Sequence, residues 1–307
     1  MIPFFSVVVT VYNKSDFIEN TVNSILNQSF ENFEVIVIND GSTDNSAEII
    51  KTFKDQRLKL ITTKNQGASK SRNLGIKQAK CNYIALLDGD DIWDLNYLDY
   101  MFRAINTYPN QKIFTASVSQ KYEERIIPLK YNINQNGLFG IHNYFEASKA
   151  HSIITSSSVV FHKSILEKTG LFDPSIVSGQ DTDMWIRFGL FNEVVFINKV
   201  LATYNYNPKS LSNTTFKLKA KPKFDKYFEE ERKDPLLKAH LDRNRYAMAI
   251  LSKIVNDSES FNYYTSHIST ENLGKKQRFL LKGPRWLLRF LLKLKSYNKK
   301  KLYYPES

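Results

Sequence analysis

The sequence predicts an α/β fold, a mainly parallel central sheet flanked by helices with a basic helical C-terminal extension. Three observations predict it. Short β-branched runs alternate with helical stripes through the first half of the chain. One of those runs, residues 83–87, leads straight into three carboxylates within four positions, Asp88, Asp90 and Asp91. The charge is divided unevenly: residues 1–216 hold 21 basic and 21 acidic residues and residues 217–307 hold 22 and 10, so the formal net charge of +12 belongs to the last third. A boundary is therefore expected near 217, between a neutral catalytic body (1–216) and a basic helical region (217–307) drawn to an anionic surface.

The elements follow in order. Phe5-Ser6-Val7-Val8-Val9-Thr10-Val11 is a β-branched strand. A helix follows from about Asp16, with Asp16 as its cap and Phe17, Ile18, Val22, Ile25 and Leu26 as its apolar stripe. Val35-Ile36-Val37-Ile38 is the second strand, ending at the turn cluster Asn39-Asp40-Gly41-Ser42-Thr43-Asp44, which doubles as a helix start. Leu58-Lys59-Leu60-Ile61 is a short strand, and a helix containing Ser69 to Ala79 leads to the strand at Tyr83. After the carboxylates come a helix from about Leu95 to Thr107 and a strand near Ile113. Residues 119–150 are polar and irregular, as a substrate-facing insertion would be. Ser158-Val159-Val160-Phe161 reads as a strand, a helix carries Met184, Trp185, Phe188 and Leu190, and Val194-Val195-Phe196-Ile197 closes the sheet.

Several classes are excluded or disfavoured. A single cysteine, Cys81, rules out an intrachain disulfide and suits a reducing compartment. The N-terminus lacks the basic region and cleavage site of a signal peptide, so the glycan-acceptor patterns at Asn27 and Asn213 carry little weight. No run approaches the roughly 18 apolar residues of a membrane span. His142, His151 and His162 lack metal-ligand spacing.

A buried parallel strand that ends in three acids is costly through like-charge repulsion unless a cation sits among them. A divalent ion held by one or two carboxylates and by phosphate oxygens meets that need. The first strand ends in Val11-Tyr12-Asn13-Lys14, without glycine, so neither a dinucleotide loop nor a P-loop cradles the phosphates. A carboxylate–metal route to a phosphorylated substrate is the better expectation.

Five motifs in order then carry a resemblance: residues 7–13, Ile38-Asn39-Asp40-Gly41-Ser42-Thr43-Asp44, Asn65-Gln66-Gly67 with Arg72-Asn73, Leu87-Asp88-Gly89-Asp90-Asp91, and residues 179–187. Together they resemble family 2 glycosyltransferases over about residues 4–210. The resemblance implies a GT-A type nucleotide-diphosphosugar transferase fold and inverting transfer dependent on Mn²⁺ or Mg²⁺. It implies that Thr10 and Tyr12 contact the nucleotide, that Asp40 accepts the N3–H of uracil, and that Arg72 serves the diphosphate. Asp88 would reach the ribose or sugar, Asp90 would bind the metal with Asp91 assisting, and Asp181 would be the general base. Competing readings stay open at this point. Tyr12 could be a rim or core aromatic, Asp40 a helix-start cap, Arg72 half of a surface salt bridge, Asp181 an N-cap with Asp183 as a substitute base. The family commonly has Glu before the base, where this chain has Gln180, and its Gln-x-x-Arg-Trp motif of processive members is absent.

In the tail, Pro284 can open a helix in which Arg285, Arg289 and Lys293 share one face beside Trp286, Leu287, Phe290, Leu291 and Leu294, with Lys299, Lys300 and Lys301 beyond. That pattern suits peripheral contact with an anionic membrane through 284–301; the alternative is a helix packed on the body. No nucleic-acid module is visible. The expectation is an enzyme at the inner face of the cell membrane, cytoplasmic, moving a sugar from a UDP-sugar to a glycan or lipid-linked glycan in cell-surface polysaccharide synthesis. An aspartyl-phosphate phosphohydrolase, or an inactive scaffold of the same fold, are the alternatives. Ile92 stands where that phosphohydrolase class usually has Thr or Val.

Overall fold

Alternation along β1 (Phe5–Val11) sends Val8 to one face of the sheet and Val7 and Val9 to the other. Each set joins a different apolar cluster, which fixes the register of every strand around it. The computed structural model describes residues 3–206 and 221–297; Asn213, Lys299, Lys300 and Lys301 lie outside the described residues.

β1 is followed by α1 (Ile18–Leu26), β2 (Phe33–Asn39), α2 (Ser46–Thr52), β3 (Leu58–Thr62), α3 (Ala68–Gln78) and β4 (Tyr83–Asp88). The four strands pair in parallel, β3-β2-β1-β4, as their alternation with helices predicts. Parallel pairing lines up their carboxyl ends: Thr10 lies between Ile38 and Asp88. Ligands of such sheets bind beyond that edge.

The rest of the sheet is mixed. β5 (Ile92–Trp93), α4 (Tyr97–Thr107), β6 (Ile113–Tyr122), β7 (Arg125–Pro128), β8 (Phe139–His142), α5 (Tyr144–Ala147), β9 (Val159–His162), α6 (Leu166–Thr169), α7 (Gln180–Phe191) and β10 (Val194–Asn205) follow. β9 lies antiparallel between β4 and β6. β10 runs parallel to β6 and antiparallel to β5 and β8. It does not close the sheet at Ile197 as expected. Register shifts between Ile197 and Ala202 bend it, and it continues to Asn205 beside the acidic turn. The 119–150 segment is also more ordered than its polarity suggests, because β6 runs on to Tyr122, β7 pairs back on it and β8 pairs with β10.

On one face of the sheet α3 lies over β1 and β2, with Gly75 against Val8, and Val8, Ile36, Ile38, Ile84 and Leu86 share an apolar cluster with Met184, Trp185 and Phe188 of α7. The other (Val7, Val9, Val35, Val37, Leu87) packs on Ile18, Val22 and Ile25 of α1 and on Leu98 and Met101 of α4. Burial on this scale is the main stabilising term.

After residue 221 the chain forms α8 (Phe228–Lys233), α9 (Pro235–Val255), α10 (Ser258–Ser266), α11 (Lys275–Lys282) and α12 (Arg285–Tyr297). Asp234 accepts from the N–H groups of Leu236 and Leu237 and Pro235 opens α9, a strong start signal. Leu237, Leu241, Met248 and Leu251 of α9 join the same cluster as Val8 and Trp185. The change in charge near 217 therefore does not mark a separate core: α9 is built into the body.

One cap departs from expectation. α1 starts at Ile18, and Asp16 does not cap it. The N–H groups of Phe17 and Ile18 instead donate to the carbonyl of Lys14, each at 2.9 Å.

Candidate active site

The carboxyl edge of β1, β2 and β4 brings four sequence-predicted residues together. Thr10 ends β1 with Oγ1 3.5 Å from Asp88 Oδ1. Tyr12 lies just past the strand and is 46% exposed, so it is no core aromatic. The turn that carries it is fastened to the loop after β2: Asn13, at φ 52°, accepts from the N–H of Thr43 at 2.8 Å and donates its own N–H to Ser42 Oγ at 3.1 Å.

Asp40 is buried and does not cap the helix that follows it. Its Oδ1 accepts from the N–H of Gln66 and its Oδ2 from the N–H of Gly67, both at 2.9 Å, which ties down the loop before α3. Gly41 makes this approach possible. At φ +71° it occupies the left-handed region, and an added Cβ would stand 2.7 Å from Asn65 N. Asp44 lies just before Asn45, the N-cap of α2, and accepts from the N–H groups of Ser15 and Ser46 at 2.9 and 3.0 Å; burial works to raise its pKa, but its hydrogen bonds with Ser46 and Ser15 hold it below the usual value.

α3 directs Arg72 into the cleft. Its Nη2 donates to Asp88 Oδ1 at 2.6 Å, its guanidinium lies 5.4 Å from the Phe172 ring centre, and its Nη1 is buried with no partner among the described residues. Burial alone would lower the Arg72 pKa, but the carboxylates of Asp88, Asp181 and Asp90 more than offset it and raise it. Asp88 and Asp90 of one motif and Asp181 of another thus lie near enough to act on one guanidinium.

The acidic turn divides its labour. Gly89 lets β4 turn tightly beneath β1, since a Cβ there would stand 2.9 Å from the Thr10 carbonyl oxygen. Asp90 is nearly buried, and its Oδ2 pairs with the Lys14 ammonium. Burial raises its pKa, Lys14 draws it back, and Asp88 adds to the rise. Asp91 turns inward. Ser157 Oγ donates to its Oδ2 at 2.5 Å and the Asn205 N–H to its Oδ1 at 3.0 Å. Burial, then Asp90 and Asp88, push its pKa well up. The expectation that Asp91 assists in holding a metal meets a carboxylate committed to fastening β10 and the Ser157 loop to the turn.

Asp181 lies in the first turn of α7, half-buried, behind Gly179 at φ 84°. Gly179 occupies the N-cap position, so the N-cap reading of Asp181 does not hold. Asp183 is not available as a substitute base. It is 1% exposed and spent on Arg187 Nε at 3.0 Å, Lys226 Nζ at 2.5 Å and the Tyr227 hydroxyl at 2.7 Å. Trp185 is core, edge-on to Phe172.

Among the described residues no three His, Cys, Asp or Glu side chains converge to hold an ion by themselves. The donor set nevertheless fits a divalent cation of the kind that takes one carboxylate and completes its shell with substrate phosphates and water. Asp90, whose Oδ2 pairs with Lys14 just past the end of β4, is the carboxylate that would hold it.

The sequence profile described as glycosyl transferase family 2 matches residues 6–170, more than half of the chain. The chain belongs to glycosyl transferase family 2. An uncharacterized glycosyltransferase of Rickettsia bellii is 35% identical over 212 residues, 69% of this chain and 29% of that protein. Glycosyltransferase GlyA of Streptococcus pneumoniae is 29% identical over 218 residues, 67% of this chain and 31% of that protein. The family 2 chain thus spans about a third of the length of these two relatives. Staphylococcus aureus TarS 1-349, solved in complex with UDP-GlcNAc, has the same fold, with a TM-score of 0.63 at 14% identity over 98% of this chain and 93% of that one.

Three residues around this candidate site escaped the sequence reading. Ser157 and Asn205, which hold Asp91, gave no local signal, because they come from a loop and a strand end far along the chain. Lys14 did carry one: it is the single Lys or Arg in the first fifty residues.

Proposed function

We propose that the chain is an inverting glycosyltransferase that moves a sugar from a UDP-sugar to a hydroxyl of a glycan or lipid-linked glycan, in cell-surface polysaccharide synthesis at the inner face of the membrane. The observation that carries the reading is the Arg72–Asp88 ion pair at the carboxyl edge of the sheet, with Arg72 Nη1 unpartnered among the described residues and Asp90 and Asp181 near enough to act on the same guanidinium. It joins a diphosphate clamp and a candidate base in one cleft. Family membership and the UDP-GlcNAc complex of a protein of the same fold support it; the phosphohydrolase alternative falls with the family.

In this reading Tyr12 stacks on the base, which its exposure allows, and Asp40 accepts from uracil with the lone pairs it does not spend on the N–H groups of Gln66 and Gly67. Thr10 and Asp88 face the ribose and sugar. Arg72 directs its free Nη1–H at a phosphate oxygen. Asp181 takes the proton of the acceptor hydroxyl as that oxygen attacks the anomeric carbon, and the sugar–phosphate bond breaks on the opposite face. Asp90 would hold Mn²⁺ or Mg²⁺ together with the diphosphate, where the ion supplies positive charge to the leaving group. Asp91 shapes that turn from behind.

A second proposal concerns the tail. Leu288 is buried and Arg285 Nε donates to the Ile254 carbonyl at 3.1 Å, so α12 is docked on the body. Phe279, Trp286 and Phe290 nonetheless remain 65, 67 and 53% exposed among basic residues, which supports peripheral contact with an anionic lipid surface. Among the described residues no helix is long and apolar enough to cross a membrane.

The direct test is the thermal stability of the full chain with UDP-, GDP-, dTDP- and CMP-sugars, with and without Mn²⁺. Binding to the native state raises the melting temperature. A rise with a UDP-sugar, larger with Mn²⁺, is expected; no response to any nucleotide sugar contradicts the assignment.

A further inference from the structure

Lys14 sits where the sugar-transfer reading needs a divalent ion. Its ammonium pairs with Asp90 Oδ2, and both side chains are largely buried. The backbone of Lys14 is pinned on both sides: its N–H donates to Ser46 Oγ at 2.8 Å, and its carbonyl accepts from Phe17 and Ile18 at 2.9 Å. Only the aliphatic stem is free to swing. Asp90 is equally fixed, since its carbonyl accepts from Asn205 Nδ2 at 2.6 Å and the turn before it is closed by Gly89 beneath the Thr10 carbonyl. An ammonium and a divalent cation compete for that carboxylate, because their like charges repel in a poorly solvated site and the ammonium offers no lone pair to a metal.

We propose that Lys14 gates the Asp90 carboxylate. In the donor-free protein its ammonium holds the place of the divalent ion, and a nucleoside diphosphate opens the site by drawing that ammonium onto its own phosphate oxygens while the ion passes to Asp90. The inference rests on the metal-and-diphosphate reading of the cleft. It gives a reason for a lysine at this position: a compact charge on a flexible stem can move between two anions, whereas a planar fork is held by the geometry of one. It also requires coupling. If the diphosphate removes the competitor, nucleotide tightens metal binding and metal tightens nucleotide binding by the same factor.

The test counts bound Mn²⁺ from the electron paramagnetic resonance signal of the free aquo ion, on the full chain with and without UDP. Wild type is expected to bind Mn²⁺ at least about tenfold more tightly with UDP than without it. Lys14→Met is expected to bind Mn²⁺ without UDP about tenfold more tightly than wild type does, with the UDP effect correspondingly smaller. In the same samples, Mn²⁺ alone should raise the melting temperature of Lys14→Met and leave that of wild type unchanged. Lys14→Gln, which is one atom shorter and neutral but keeps a donor, gives the same comparison if the methionine variant does not fold. UDP-dependent Mn²⁺ uptake by wild type together with unchanged Mn²⁺ affinity in both variants overturns the gate and leaves the metal reading standing. A wild type that takes up no Mn²⁺ even with UDP overturns both.

Discussion

Arg72 engages Asp88 with one terminal nitrogen and keeps the other in reserve: Nη2 donates to Asp88 Oδ1 at 2.6 Å, while Nη1 is buried and unpaired among the described residues. An unpaired buried donor costs stability unless a ligand supplies the acceptor. Arg72→Met should therefore weaken UDP binding about 10- to 100-fold, the range expected for losing charged hydrogen bonds worth about 1.5–3 kcal/mol. Arg72→Lys should recover only part of it, because a single ammonium cannot serve Asp88 and a phosphate with the fork geometry. Calorimetric titration of the full chain with UDP measures both; wild-type affinity in Arg72→Met would remove Nη1 from the phosphate site.

Asp181 is placed differently. It is half-buried in the first turn of α7, near enough to act on the Arg72 guanidinium, and no ion pair holds it among the described residues. Asp181→Asn keeps size and removes the proton acceptor, so donor affinity should stay within about twofold while kcat falls at least about 100-fold, the lower range for losing a general base. Transfer at near-normal rate by this variant would take Asp181 out of the reaction.

Two residues after it, Asp183 serves the fold. It joins α7 to the stretch before α8 through Lys226 and the Tyr227 hydroxyl, and holds Arg187 on its own helix. Removing one member of a buried charge group leaves the others uncompensated, so Asp183→Asn should cost about 3–5 kcal/mol. Tyr227→Phe, which loses one hydrogen bond to a carboxylate, should cost about 1.5–3 kcal/mol. Urea unfolding of the two variants gives the ordering. Equal, negligible losses would show that the network contributes nothing net.

A pH dependence follows from His240. The ring is buried against Tyr144 and Phe145, neither nitrogen has a partner among the described residues, and burial together with the nearby Arg243 charge lowers its pKa to about 3. Between that value and the ordinary histidine value of 6.5, the unfolded chain binds a proton that the folded chain does not. Stability is therefore full above pH 6.5 and falls as the pH drops, by at most about 1.4 kcal/mol per unit from this group. His240→Phe, which keeps an aromatic ring between Tyr144 and Phe145, should flatten the acid limb of a stability–pH curve between pH 4 and 6.5. An unchanged slope would assign acid sensitivity to other groups.

The parallel half of the sheet was legible because each strand carries its own β-branched run and each crossover its own helical stripe. Short local motifs were enough to single out Arg72 and Asp88, which the structure sets in contact. Long-range fastening was not legible. Nothing near Asp91 announces that Asn205 will donate to it, because that contact depends on the bends in β10. Nor did the charge step near 217 reveal that α9 would join the apolar cluster that holds Val8 and Trp185, since its apolar positions are spread through a basic segment. Asp16 failed as a cap for a related reason: the Lys14 carbonyl takes the first helical N–H groups, a backbone solution that side-chain patterns do not record.

The tail gives the last prediction. α12 is held on α9 by Leu288 and Arg285 while Trp286 and Phe290 stay exposed, so the helix is anchored on one side and unpartnered on the other among the described residues. Two aromatic rings on a basic helix suit an interface that offers acyl chains below and phosphates alongside. Trp286→Ala with Phe290→Ala should lower binding to vesicles containing anionic phospholipid by at least about tenfold, on the basis of roughly 1.5–3 kcal/mol for each large apolar side chain fully buried, and should leave the melting temperature unchanged because neither ring packs in the core. Raising the salt concentration should weaken wild-type binding as well, since each Lys or Arg near such a surface contributes about 1 kcal/mol that ions screen. Vesicle sedimentation of wild type and the double variant measures both effects. Equal binding of the two proteins, or the same binding to neutral and anionic vesicles, would leave these rings as ordinary exposed aromatics on a helix that belongs to the body.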